Sequence, residues 1–254
     1  VPALQNKDRV LLITGGSRGI GAATATLAAS RGYRVVINYR SQEAAAQSVV
    51  DAIRQQGGEA LALQADVARE DDVRRLFESI VDHYGRLDAL VNNAGILEQQ
   101  GPLRDMTATR LQRVFDTNIL GSFLCAREAV QRMSSREGGE GGAIVNVSSA
   151  ASRLGSPNEY VDYAASKAAI DTLTIGLAKE VAADGIRVNA VRPGVIYTEI
   201  HASGGEPGRV DRVKAQVPMG RGGQPQEVAN AILWLLSDEA SYITGALIDI
   251  SGGR

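Results

Sequence analysis

Tyr163 and Lys167 stand four residues apart in the run Tyr163-Ala164-Ala165-Ser166-Lys167, so a helix there would carry both on one face. Free tyrosine titrates near pH ~10, too high to exchange protons at neutral pH. A fixed ammonium beside it favours the phenolate and lowers that value. The pair has the outline of an acid/base unit. The spacing alone is common by chance, and the neighbouring Tyr160 has only Ala164 four residues on.

A second group of residues is Thr14-Gly15-Gly16-Ser17-Arg18-Gly19-Ile20-Gly21. Glycines permit positive φ and let backbone approach a ligand closely. A helix starting there offers free N–H groups and a positive dipole end to a pyrophosphate. A tight turn with no ligand reads the same in isolation. Position separates the two readings: the turn follows a strand-like run and opens the first β/α unit, as a dinucleotide site requires. An Asp or Glu about twenty residues on would hold the ribose hydroxyls of NAD. This chain has Tyr39 and Arg40 there, and Arg18 within the turn. Two guanidinium groups suit the 2′-phosphate of NADP through bidentate, charge-assisted bonds; as ordinary surface arginines they would carry no message.

Short apolar runs alternate with long amphipathic stretches. The strands expected are 10–14, 34–39, 60–65, 89–92, 143–147, 187–191 and 246–250. The helices expected are 19–31, 42–56, 70–84, 107–133, 160–183 and 225–236. Strands that are apolar throughout, without alternation, fit a parallel sheet covered on both faces. Strict β/α alternation then predicts a single α/β domain over 1–254: a doubly wound, mostly parallel seven-stranded Rossmann sheet with right-handed crossovers. An eight-fold barrel is the rival at this length, but the glycine turn is the wrong equipment for its first loop. Ser134–Gly142 and the glycine-rich Ile200–Val210 are too short for domain linkers and are expected to be loops.

The 27 basic and 29 acidic side chains leave a net charge of −2, which argues against a nucleic-acid partner. The single cysteine, Cys125, excludes an intrachain disulfide and a multi-cysteine zinc site; it is expected to be a buried apolar residue, and no metal is expected. No apolar run approaches the roughly 18 residues of a membrane span. The short polar start VPALQNKDRV does not read as a secretory leader, so a cytoplasmic location is expected.

Taken together and in order, these motifs resemble the short-chain dehydrogenase/reductase family, in the compact branch that includes 3-ketoacyl-carrier-protein reductases and glucose 1-dehydrogenase-like oxidoreductases. Thr14–Gly21 is similar to the family's cofactor turn, and Asp66-Val67 to the pair that contacts adenine. Asn92-Asn93-Ala94-Gly95 resembles its fourth-strand motif. Asn118 falls at the catalytic Asn, Ser148-Ser149 ends the fifth strand, and Pro193-Gly194 with Thr198 resembles the nicotinamide-side motif. The resemblance implies an oxidoreductase acting on a small carbonyl or alcohol, with Asn118, Ser149, Tyr163 and Lys167 as catalytic residues. Tyr163 would exchange the proton, Lys167 would hold the nicotinamide ribose, and Ser149 would bond the substrate carbonyl. Asn118 would hold a water, and Val195 and Thr198 would orient the carboxamide. The cofactor side would comprise Gly15, Ser17, Arg18, Gly19, Ile20, Asn38, Tyr39, Arg40, Asp66, Val67, Asn92, Ala94, Gly95, Tyr163, Lys167, Pro193, Gly194, Val195, Ile196 and Thr198. NADP(H) is expected to be preferred, with NAD(H) possible.

One departure stands out. Ser149 and Tyr163 are fourteen positions apart, one more than the family's usual spacing. The four-residue Tyr–Lys interval also differs from the wider one of the family's enoyl reductases. Tyr197 to about position 215 is expected to form a mobile lid, with His201 as an exposed residue or a contact for a substrate hydroxyl. The helix bearing Ala164, Ala165, Ala168 and Ala169, with its predecessor, would build a dimer interface in such a family, and a homotetramer or homodimer is expected. Two alternatives remain: an NAD-dependent sugar dehydrogenase, and a nicotinamide-binding regulator without turnover.

Overall fold

Seven apolar runs pair edge to edge in a computed structural model that describes residues 8–254. They are β1 (Val10–Ile13), β2 (Arg34–Tyr39), β3 (Glu59–Gln64), β4 (Ala89–Asn92), β5 (Gly142–Val147), β6 (Ile186–Pro193) and β7 (Leu247–Ile250). Their spatial order is β3-β2-β1-β4-β5-β6-β7, and every pairing is parallel. The sheet is therefore all parallel rather than mostly so, and its open order excludes a closed barrel. The start VPALQNKDRV lies largely outside the described residues.

The helices are α1 (Gly19–Ser30), α2 (Glu43–Gln55), α3 (Glu70–Tyr84), α4 (Ala108–Phe115), α5 (Gly121–Met133), the short α6 (Ala151–Leu154), α7 (Val161–Val181), the short α8 (Ile200–Ser203) and α9 (Arg209–Val213), and α10 (Pro225–Leu236). Strand side chains alternate between two cores. Leu11 and Ile13 of β1 pack with Ala28, Ile53 and Ile232 from α1, α2 and α10. Val10 and Leu12 pack on the other face with Phe77, Leu124 and Ala178 from α3, α5 and α7. Burial on both faces explains why β1 is apolar at every position. Each such side chain contributes about 1.5–3 kcal/mol.

Two expectations are corrected here. The stretch 107–133 is not one regular helix: α4 and α5 are joined by a π-helical turn over Asp116–Leu120. The glycine-rich stretch after β6 is not a plain loop, since it folds into α8 and α9.

The C-terminus of α10 is closed by a residue from β6. Arg187 donates to Leu235 O at 2.7 Å, Ser237 O at 3.1 Å and Leu236 O at 3.2 Å. These are carbonyls with no partner within the helix, at the negative end of its dipole. Arg187→Ala is expected to destabilise the fold by about 2–3 kcal/mol. A urea titration should show a lower midpoint at unchanged slope; an unchanged midpoint would refute this account of the helix end.

Candidate active site

β1 pairs with β2 on one side and β4 on the other, so the chain leaves the carboxyl ends of these strands in opposite directions. A crevice opens at such a switch point. Here it is a cleft of about 490 Å³. Of the cofactor-side residues expected from the sequence, all but Asn92 line it; of the catalytic set, Ser149, Tyr163 and Lys167 line it and Asn118 does not.

The glycine turn is braced from both neighbours of β1. Gly16 N donates to Asn38 O at 3.0 Å. Asn93 Nδ2 donates to Thr14 O and Gly15 O, both at 2.9 Å, and Thr14 Oγ1 accepts from Asn93 N and Ala94 N. Gly19 has φ +54, and a Cβ on Gly21 would fall 2.5 Å from Gly15 O, so α1 packs on the turn only with glycine there. α1 begins with no side-chain cap and no acid in its first turn. Its first N–H groups and positive end are thus left for an anion. Arg18 and Arg40 are exposed on the cleft wall, and among the described residues neither guanidinium makes an ion pair or hydrogen bond. This donor set fits a dinucleotide carrying an extra phosphate.

Asn92 is placed behind the cleft wall. Its Nδ2 donates to Asn146 Oδ1 at 3.0 Å and Ser122 O at 3.2 Å, tying β4 to β5 and α5. The cleft-facing brace is instead Asn93, which follows β4 directly. Asn118 sits inside the π turn, fully buried. Its Oδ1 accepts from Ile96 N at 2.8 Å, and its Nδ2 donates to Ile96 O and Ser166 Oγ, both at 3.1 Å. The side chain is spent on fixing the segment after β4 against α7. A Cβ on Gly95 would lie 3.4 Å from Lys167 Nζ and 3.5 Å from Asn118 Oδ1, so this position sits directly against both side chains.

α7 delivers Tyr163 and Lys167 one turn apart, with Nζ 5.6 Å from the tyrosine ring centroid. Lys167 Nζ donates to Val147 O at 2.7 Å. Burial lowers the Lys167 ammonium to about 8, against an opposing pull from Asp171. Burial likewise pushes Tyr163 up to about 12; a hydrogen bond with Ser149 and the charge of Arg209 pull it down. In the protein alone, desolvation is the largest influence on the Tyr163 phenol and opposes the charges around it. Of the two serines, Ser148 spends its hydroxyl on Lys167 O at 3.1 Å, while Ser149 lines the cleft together with Tyr163.

The Ser149–Tyr163 interval contains α6 and the turn into α7. Gly155, Ser156 and Asn158 all adopt positive φ, at 74°, 44° and 61°. Two of these are not glycine, so the turn is held at some conformational cost. It presents Glu159 and Tyr160 to the lid. Arg209 and Arg212 of α9 reach Glu159 at 2.6 and 2.9 Å, and Tyr160 Oη donates to Gly204 O at 3.2 Å. Nothing in residue spacing announces Arg209, Glu159 or Tyr160 as cleft residues; only the folded lid brings them there. His201 is not exposed: it is 8% accessible, with Nε2 2.8 Å from Ile196 O. Among the described residues, no group of three or more His, Cys, Asp or Glu is placed to hold a metal ion.

An open, doubly wound parallel sheet with a glycine-turn helix and a Tyr–Lys pair on its switch-point cleft defines a Rossmann-type oxidoreductase. The chain belongs to the short-chain dehydrogenase/reductase family. A family model described as enoyl-(acyl carrier protein) reductase matches residues 15–254. The chain is 64% identical over 245 residues to the oxidoreductase YgfF of Escherichia coli (strain K12), covering 96% of this chain and 99% of that one. It is 42% identical over 246 residues to a 3-oxoacyl-[acyl-carrier-protein] reductase of Synechocystis sp., covering 96% of each. Among solved structures, a short chain dehydrogenase from Burkholderia cenocepacia J2315 in complex with NADP superposes with a TM-score of 0.89 at 33% identity, covering 98% of each chain.

Proposed function

We propose that the protein interconverts a carbonyl and a secondary alcohol, preferring NADP(H) over NAD(H), with Tyr163 as the acid/base. The carrying observation is the Tyr163–Lys167 pair on α7, which with Ser149 lines the cleft onto which the uncapped start of α1 opens. The cofactor supplies the hydride when bound. The chain's part is to hold the substrate oxygen between the Ser149 and Tyr163 hydroxyls and to deliver the Tyr163 proton to it as the carbonyl carbon is reduced. Oxidation returns that proton to Tyr163. Lys167 holds the ribose hydroxyls and offsets charge on the phenolate. Asn118 acts through its hold on Ile96 and α7. Two hydroxyls converging on one oxygen favour a C=O group over an enoyl double bond as the group reduced.

The test is loss of NADPH absorbance, beside NADH, across ketones, aldehydes and keto-sugars. Selective oxidation of NADPH by a few related carbonyls supports the reading. Silence in both directions with cofactor bound would favour the regulator instead. NADP preference rests on Arg18 and Arg40. Arg40→Asp should weaken NADPH binding about 10–100-fold relative to NADH in a fluorescence titration. Equal losses for the two cofactors would remove the arginine argument.

A homotetramer is part of the same reading. Leu120 and Phe123 near the start of α5 and Ile175 on α7 are exposed apolar residues, as are Trp234 and Tyr242 on the β7 side. Among the described residues no helix is long and apolar enough to cross a membrane, and a cytoplasmic setting is proposed with it.

A further inference from the structure

Two polar atoms on the lid side of the cleft are buried without a hydrogen-bond partner: His201 Nδ1 and Arg209 Nη1. Both residues line the same cleft as Ser149 and Tyr163. Native proteins rarely leave such atoms unpaired. Their chemistries are opposite. His201 Nε2 faces the Ile196 carbonyl, which can only accept, so Nε2 carries the proton and Nδ1 of the neutral ring is a bare acceptor. Burial holds the ring below its ordinary pKa, which keeps it neutral. Arg209 is a donor. Its Nη2 is engaged by Glu159 and its guanidinium lies 4.9 Å over the Tyr160 ring. Its Nη1 stands 3.7 Å from Glu206 Oε2, beyond hydrogen-bond reach. Glu206 joins the two residues: its N–H donates to His201 O at 2.9 Å and its carboxylate faces Arg209.

We propose that the lid recognises a hydroxyl group on the substrate, whose oxygen accepts from Arg209 Nη1 and whose hydrogen is given to His201 Nδ1. The substrate class is then a carbonyl compound with a hydroxyl close to the reacting carbonyl, and the reduced product is a diol. This assignment rests on the carbonyl–alcohol reading above. Other oxygen groups fit less well. A second carbonyl or an ether satisfies Arg209 and leaves His201 bare. A carboxylate meets the His201 lone pair, and the lid offers it no net charge, because Arg209 and Arg212 are already balanced by Glu159 and Glu206. Of these oxygen groups, only the hydroxyl both accepts and donates through one atom. His201 belongs to α8 and Arg209 to α9, so both contacts to the hydroxyl come from the lid itself.

The test compares cyclohexanone with its α-hydroxy and α-methoxy derivatives, in wild type, Arg209→Met and Glu159→Gln. In wild type, kcat/KM should favour the hydroxy compound over both others by at least about tenfold, chiefly through KM. Arg209→Met should bring that ratio to about one. Glu159→Gln loosens the lid but leaves Nη1, so it should shift all three substrates together and keep the ratio. A role for Arg209 in lid closure alone would predict the same ratio in all three proteins, and that result would overturn the proposal, as would a wild-type ratio near one. Calorimetric binding of the three compounds to the NADPH-loaded proteins separates this proposal from the reading beneath it. No turnover of any compound, with a wild-type binding preference that Arg209→Met abolishes, would sink the reductase reading and sustain hydroxyl recognition.

Discussion

Tyr163→Phe is expected to lower kcat by about 10²–10⁴-fold while NADPH still binds. The tyrosine hydroxyl is the acidic group that shares the cleft with Ser149, and it is protonated at neutral pH, as proton delivery to a carbonyl oxygen requires. Phenylalanine keeps the ring and its packing and removes only the oxygen. The residual rate would come from orientation alone. The glycine turn, proposed above as the pyrophosphate site, is braced from β2 and from the end of β4 and does not involve the phenol, so NADPH titration should be unchanged. Turnover within a few-fold of wild type would remove Tyr163 from the chemistry, and parallel loss of binding would make its role structural.

Lys167→Met should abolish most turnover and also make the protein more stable at pH 7. Lys167 is buried with an ammonium whose pKa is lowered from 10.5 to about 8. Between those values the unfolded chain binds the extra proton and the folded one does not, so this group makes stability rise with pH across about pH 8 to 10.5. Below pH 8 both states are charged and the full burial penalty stands, of the order of 3 kcal/mol. Wild type should therefore show a rising denaturation midpoint between pH 7.5 and about 9.5, and Lys167→Met a flat one lying higher at the acid end. The window is kept below pH 10 because Tyr163 acts in the opposite sense: its raised pKa gives stability that is lost as pH climbs from about 10 through about 12. Parallel midpoint curves for the two proteins would show that the lysine is buried at no such cost.

The sheet was legible because burial on both faces forces a local signature: VLLI and RVVINY leave no polar alternation to misread. The cofactor turn and the Tyr163–Lys167 pair were legible for a related reason, since each is a short-range pattern whose chemistry needs fixed spacing. What escaped depends on distant partners. Asn92 and Asn93 are adjacent and alike in type, and only the strand pleat decides that one ties β4 to β5 and the other braces the turn. His201 reads as a solitary polar residue until the Ile196 carbonyl is seen behind it. The charge on Lys167 was visible, but its effect on Tyr163 depends on how dry the site is, which spacing does not encode.

The π turn between α4 and α5 sets the angular phase of everything beyond it. An α-helix advances about 100° per residue, so one extra residue in one turn rotates the downstream face relative to the upstream one. Val114 before the turn, Asn118 within it, and Leu124, Cys125 and Ala129 after it are all buried. Deleting any single residue of 116–120 would let the segment relax to a regular helix and keep its length almost unchanged. The faces of α5 would keep their phase, because the residue lost is the one the wide turn takes up, while Asn118 would turn out of its place only when the deletion precedes it. The segment thus works as slack in the reading frame of the helix: it can give up one residue and confine the consequence to its own five positions.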